Sequence, residues 1–142
     1  MSQFKKIAAI ITPLLICAGF AAGCGNTKNL PENDEVQKAV YRKINAEQAK
    51  KIMDQDNPYT LLDVRNEEEF NEERISGAIL IPVTEIDNRA ENELPNKNAL
   101  ILVYCRSGRR SASAANTLVS MGYTNVYDIG GIINWPYGTI KE

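Results

Sequence analysis

The sequence predicts an α/β domain with a mostly parallel sheet of four to five strands and helices on both faces. Three observations carry this. Short apolar runs alternate with helix-patterned stretches from residue 41 onward, the order that builds parallel sheets through crossover helices. One run, "ALILVY" at 99–104, is apolar throughout, as a central strand buried on both faces must be. Two helical stretches open on polar caps and a third closes on glycine.

The elements follow in order. "YRKI" at 41–44 is a short strand, and "NAEQAKKIMD" after it is a helix with Asn45 as N-cap and Gln48 three residues on, a capping box. "TLLDV" at 60–64 is a buried strand ending in charge. "NEEEFNEERI" begins acidic, which suits the positive N-terminal end of a helix. "GAILIP" at 77–82 is a strand, and "TEIDNRAENEL" from Thr84 has the Thr-x-x-Asp form of a capped helix. After the apolar strand at 99–104, "SASAANTLVSMG" at 111–122 is a helix with a glycine stop. "NVYDIGG" supplies a last strand and "IINWPYG" a closing segment.

In open α/β sheets, ligands bind outside the carboxyl ends of the strands. Cys105 follows the apolar strand at that end, and Asp63 and Arg65 close another strand at the same end. Between strand and helix lies "CRSGRR", residues 105–110. A loop of this kind can turn successive backbone N–H groups inward as an anion nest, and the next helix adds its positive end. Gly108 frees the turn, and Ser111 can cap the helix. A thiol in such a place is favoured as thiolate, while Arg106, Arg109 and Arg110 add positive field for an anionic substrate. The chain of 142 residues contains no histidine. That excludes Cys-His and Ser-His-Asp machinery and every His-ligated metal site, so no metal is expected and the nucleophile must be activated by other means. The net charge of −2 gives no electrostatic case for nucleic acid.

Residues 1–23 have the form of a leader: Lys5 and Lys6, an apolar run at 7–20, then "AAGC". This resembles a bacterial lipoprotein signal peptide, with Cys24 lipidated as the first mature residue; a plain secretory signal or an anchor helix is the alternative. Residues 24–39 form a flexible polar tether, and 40–142 the domain. Cys17 would be discarded and Cys24 acylated, leaving Cys105 as the one free thiol, outside the cytoplasm.

"CRSGRRS" followed by "AANTLVSMGYTNVYDIGGIINW" resembles a single-domain rhodanese, and "LLDVRNEEEF" and "ISGAILIP" are similar to the family's two upstream motifs. The resemblance implies a sulfurtransferase without cofactor. Cys105 would take the outer sulfur of a donor such as thiosulfate as a persulfide and pass it to cyanide or a thiol. It further implies that backbone amides from Arg106 through Ser107, Gly108, Arg109 and Arg110 to Ser111 cradle the persulfide. Asp63 and Arg65 would organise the loop or form a structural salt bridge. Arg74 stands where many members have His, in a structural position. Glu67, Glu68 and Glu69 stand where some thiosulfate-using members have a basic residue, and Arg106 argues against mercaptopyruvate as donor. A monomer held at the cell envelope through lipid on Cys24 is expected.

Three other readings compete. A non-catalytic or sulfur-carrier module docking on a partner would keep the same fold. A cysteine phosphatase or arsenate reductase needs Cys-x5-Arg, whereas Ser111 stands six residues after Cys105. A thiol redox sensor would need an external thiol. Trp135, Tyr137 and Tyr123 are expected to pack rather than frame a pocket, and Glu67–Glu69 to form a solvated helix face.

Overall fold

A computed structural model describes residues 40–141. The expected leader at 1–23, its Cys24 and the tether at 24–39 lie outside the described residues. The elements are β1 (Arg42–Lys43), α1 (Ala46–Met53), β2 (Tyr59–Asp63), α2 (Glu67–Glu72), β3 (Ala78–Leu80), α3 (Ile86–Glu93), β4 (Leu100–Cys105), α4 (Arg109–Ser120), β5 (Val126–Gly131) and a closing 3₁₀ turn, Ile132–Asn134. The five strands form one sheet in the order β1-β5-β4-β2-β3, every pair parallel. The predicted α/β architecture is present, with β4 in the middle.

Alternation along β4 divides the core. Ile101, Val103 and Cys105 face α3 and α4, with Ile86, Ala90, Ala114, Ala115 and Leu118. Leu102 and Tyr104 face the other side, with Ala49 of α1, Ile75, Ile132 and Trp135. Both faces of the central strand are thus covered by helices or turns, as parallel sheets require.

The caps separate what local pattern decides from what tertiary context decides. Asn45 and Gln48 form the expected capping box, and Asn66 with Glu69 forms a second at α2. Thr84 does not cap α3. The chain turns at 82–85, where Glu85 N–H donates to the Pro82 carbonyl at 2.8 Å, and the helix begins after it at Ile86. α4, by contrast, begins earlier than the pattern indicates. Its N-cap is Gly108, at φ 99°, so Ser111 lies inside the first turn and is not the cap.

Sheet and loop meet at the ends of β4 and β5. The β4–β5 register shifts by one residue: Val103 pairs with Asp128, but Tyr104 pairs with Gly130 and Cys105 with Gly131. Ile129 is therefore the extra residue of a bulge, a device that re-aims the strand end. Beyond it the backbone of residues 106–108 lies directly on residues 130–131. A Cβ on Gly131 would stand 2.4 Å from the Arg106 carbonyl oxygen and 2.6 Å from the Ser107 Cα. Both obstacles are backbone and cannot rotate away. Gly131→Ala should therefore lower stability by about 1–3 kcal/mol, the scale of overpacking a close contact, seen as a lower denaturant midpoint. An unchanged midpoint would show that the loop yields freely.

Candidate active site

Cys105 is the last residue of β4 and only 1% exposed. The chain then needs three residues, 106–108, to reach α4. Gly108, in the left-handed region that favours glycine, turns its N–H back onto the Cys105 sulfur at 3.1 Å. The sequence-based loop of six residues is thus three residues of loop plus the first turn of a helix. Arg106, Ser107 and Arg109 are exposed, Gly108 and Arg110 half-buried, and Ser111 buried.

The thiol is held as an anion would be. Burial alone pushes it up. The backbone N–H groups of Ser111, Gly108 and Ser107 act against it, and the thiol sits below its ordinary value. Oriented amides at a helix start do here what a neighbouring histidine does elsewhere.

Asp63 and Arg65 come together as a buried pair beside this loop. Arg65 Nε and Nη2 donate to the Asp63 carboxylate at 2.9 and 2.6 Å, and Nη2 also donates to the Glu73 carbonyl at 2.6 Å. The pair ties the end of β2 to the segment after α2. Arg65 also lies 5.7 Å from the Tyr104 ring centroid, directly before Cys105. Burial and the Asp63 charge both hold the Tyr104 phenol in its neutral form, well above its usual range. Such a pair resists removal of either partner, which would leave an uncompensated buried charge at a cost of about 3–5 kcal/mol.

Glu69 departs from expectation. Glu67 and Glu68 are exposed, but Glu69 turns inward and takes Arg110 in a bidentate pair, 2.7 Å on both arms. The Arg110 guanidinium, which also interacts with the Cys105 sulfur, is thereby partly neutralised. The pairing holds the Glu69 carboxyl below its ordinary range, with burial opposing. A cleft of about 210 Å³ opens beside the loop, lined by Arg65, Glu69, Glu72, Glu73, Arg106 and Ile133 among others. A larger cavity of about 580 Å³ lies behind the β5 glycines and is lined by no loop arginine; Cys105 itself lines neither cavity. Of the two, the smaller one meets the loop, through Arg106. Arg74 is structural in its visible contacts, donating to the Phe70 carbonyl and bridging backbone to backbone with Ile140. Tyr123 is fully buried, its hydroxyl within hydrogen-bond distance of the carbonyls of Ala90 and Leu94. Trp135 is half-buried against the core, edge-on to Tyr137, which is exposed and, contrary to expectation, lines the larger cavity.

Sequence reasoning passed over Asp128. It is fully buried on β5, and its Oδ1 accepts from Ser111 Oγ at 2.6 Å and from the Gly130 N–H at 3.0 Å. The signal was present: Asp128 shares a strand face with Val126, and a charge on an inward strand face is rarely incidental.

Known proteins resemble the chain in sequence and fold. Residues 45–136 match the family model for the rhodanese-like domain. The chain is 42% identical over 71 residues to the thiosulfate sulfurtransferase PspE of Escherichia coli (strain K12), covering 50% of this chain and 68% of that protein. It is 40% identical over 93 residues to the putative sulfur carrier protein YrkF of Bacillus subtilis (strain 168), covering 65% of this chain but only 49% of that one. Among solved structures, a rhodanese with anions from E. coli superposes with a TM-score of 0.57 at 36% identity, over 60% of this chain and all of that one. The rhodanese-like domain of the Anabaena sp. Alr3790 protein gives 0.66 at 28% identity, over 72% and 81%. With the family match spanning the described fold from α1 to the closing turn, the chain belongs to the rhodanese-like domain family.

Proposed function

We propose that the protein is a sulfurtransferase in which Cys105 accepts a sulfane sulfur as a persulfide and passes it to a thiol or cyanide. The observation that carries this is the Gly108 N–H donated to a buried Cys105 sulfur at 3.1 Å, in a cradle that favours the anion. The thiolate attacks the outer sulfur of thiosulfate, that sulfur's bond to the sulfonate breaks, and sulfite leaves with the electron pair. Because sulfite leaves as an anion, no acid is needed to protonate it. The amides that hold the thiolate then hold the equally anionic persulfide. Relatives named as a thiosulfate sulfurtransferase and as a putative sulfur carrier support this class of chemistry and leave the acceptor to experiment.

Incubation with thiosulfate should add one sulfur, about 32 Da, to the peptide bearing Cys105, and Cys105→Ser should abolish the gain. A wild-type protein that gains no sulfur from any sulfane donor would sink the proposal.

Donor preference should answer to Glu69. Replacing it with Gln keeps the cap on α2, since Gln also serves in a capping box, but releases Arg110 toward the sulfur. Glu69→Gln should lower the KM for thiosulfate about fivefold, equivalent to about 1 kcal/mol for a partly exposed pair. A raised or unchanged KM would mean that Arg110 does not meet the donor.

The same proposal places the domain at the cell envelope, tethered through lipid on Cys24; the "AAGC" sequence supports it. No helix among the described residues is long and apolar enough to cross a membrane. Cys24→Ala should move the protein from the membrane to the soluble fraction, and equal membrane retention would contradict lipid anchoring.

A further inference from the structure

One buried acid has no part in the chemistry so far. Among the described residues, Asp128 Oδ2 is the buried side-chain polar atom left without a hydrogen-bond partner. No cation pairs with this carboxylate among the ion pairs of the site. Its other oxygen meets the Ser111 hydroxyl at 2.6 Å, and that hydroxyl lies 3.7 Å from the Cys105 sulfur, within hydrogen-bond reach for sulfur. A serine has one proton. The carboxylate is its nearest acceptor, with the carbonyls of Gly108 and Gly130 at 3.1 and 3.3 Å. Directed this way, Ser111 Oγ presents lone pairs to the thiol, and Cys105 S–H donates to it. The order Cys105 to Ser111 to Asp128 therefore has one direction, from thiol to buried carboxylate.

We propose that Asp128 is a positioning residue for sulfur transfer, fixing the Ser111 hydroxyl and receiving through it the proton that Cys105 sheds on becoming a thiolate. This rests on the persulfide reading of Cys105. The thiol proton passes to Ser111 Oγ while the Ser111 proton passes to Asp128 Oδ1. Only S–H and O–H bonds change, and no charge leaves the protein. The Ser111 hydroxyl then donates to the sulfur, and the new carboxyl O–H donates to Ser111. The thiolate attacks the outer sulfur of thiosulfate and sulfite departs with the electron pair. In a chain without histidine, the relay gives the proton somewhere to go inside the fold.

Other ionisable groups surround the relay. From α4, Arg110 faces the sulfur and is itself held by Glu69 of α2. From β4, the Tyr104 phenol points to the opposite face of the sheet, toward the Ile75 N–H. On β1, Lys43 stands in register with Asp128 and is exposed. None of them lies between the thiol and the acid.

The experiment is alkylation of Cys105 by iodoacetamide in the full-length chain, followed by peptide mass spectrometry from about pH 6 to about pH 9. Asp128→Asn keeps an acceptor for Ser111 but cannot take a proton. It should slow alkylation about tenfold or more at the acid end and converge with wild type once the thiol has ionised to solvent. Ser111→Ala should show the same acid limb, and serves if the Asn variant does not fold. A carboxylate acting only as a fixed negative charge would do the reverse, because removing it favours the thiolate. Faster or unchanged alkylation at low pH overturns the inference, as does slowing by one factor at every pH. Sulfur loading from thiosulfate, measured on the same samples, keeps the two ideas separate. Wild type that alkylates as described but takes up no sulfur refutes the persulfide reading and leaves the relay standing.

Discussion

The site depends on backbone lying against backbone. Residues 106–108 can curl under Cys105 only because β5 ends in two glycines, with the Gly108 Cβ direction 3.6 Å from the Gly130 Cα and no room at all for a side chain on Gly131. The bulge at Ile129 sets up this contact by shifting the β4–β5 register just before the strand ends. Without that shift, Gly130 rather than Gly131 would stand opposite Cys105, while Asp128, which pairs with Val103 before the bulge, would keep its place. One extra residue in β5 thus brings the two glycines under the loop, just past the buried acid.

Charge at the site is largely consumed inside the protein. Arg65 is spent on Asp63 and the Glu73 carbonyl, and Arg110 on Glu69. The arginines left facing solvent are Arg106 and Arg109, on a rim that also carries Glu72 and Glu73. The strong positive field suggested by three arginines in six residues is therefore reduced to a local one. Fixed amide dipoles do more to hold the sulfur than mobile side chains, since they lose no rotamer freedom and are not screened where the thiol is buried.

The succession of strands and helices, the apolar central strand and the Asn45 cap were legible in the sequence because each depends on residues adjacent in the chain. What was not legible depends on contacts between distant residues. Thr84 has a capping pattern, but the turn at 82–85 takes its place. Ser111 looks like a cap, but Gly108 can adopt the left-handed conformation that starts α4 two residues earlier. Glu69 looks solvated within an acidic run, and only the tertiary position of Arg110, 41 residues away, draws it inward. Cys105 and its loop were legible as a candidate because thiol, glycine and arginines are contiguous. Asp128 was legible only as a charge on an inward strand face, and its partner was not, because Ser111 lies across the β5–α4 packing.

A site built this way separates two tasks. Holding the anionic sulfur falls to the Gly108 amide, the start of α4 and the buried Ser111, all positions where substitution disturbs packing. On the proposed function, donor and acceptor would meet Arg110 and the rim of Arg106, Ser107 and Arg109, of which the last three have exposed side chains. Side chains at those three positions can change without touching the geometry at sulfur, provided each new residue leaves the path past Gly131 open. Substrate choice can then vary on a fixed cradle. The limit comes from below the loop, where the β5 glycines admit no side chain and the buried acid admits few replacements. The constraint on this chemistry therefore lies as much in β5 as in the loop that carries the thiol.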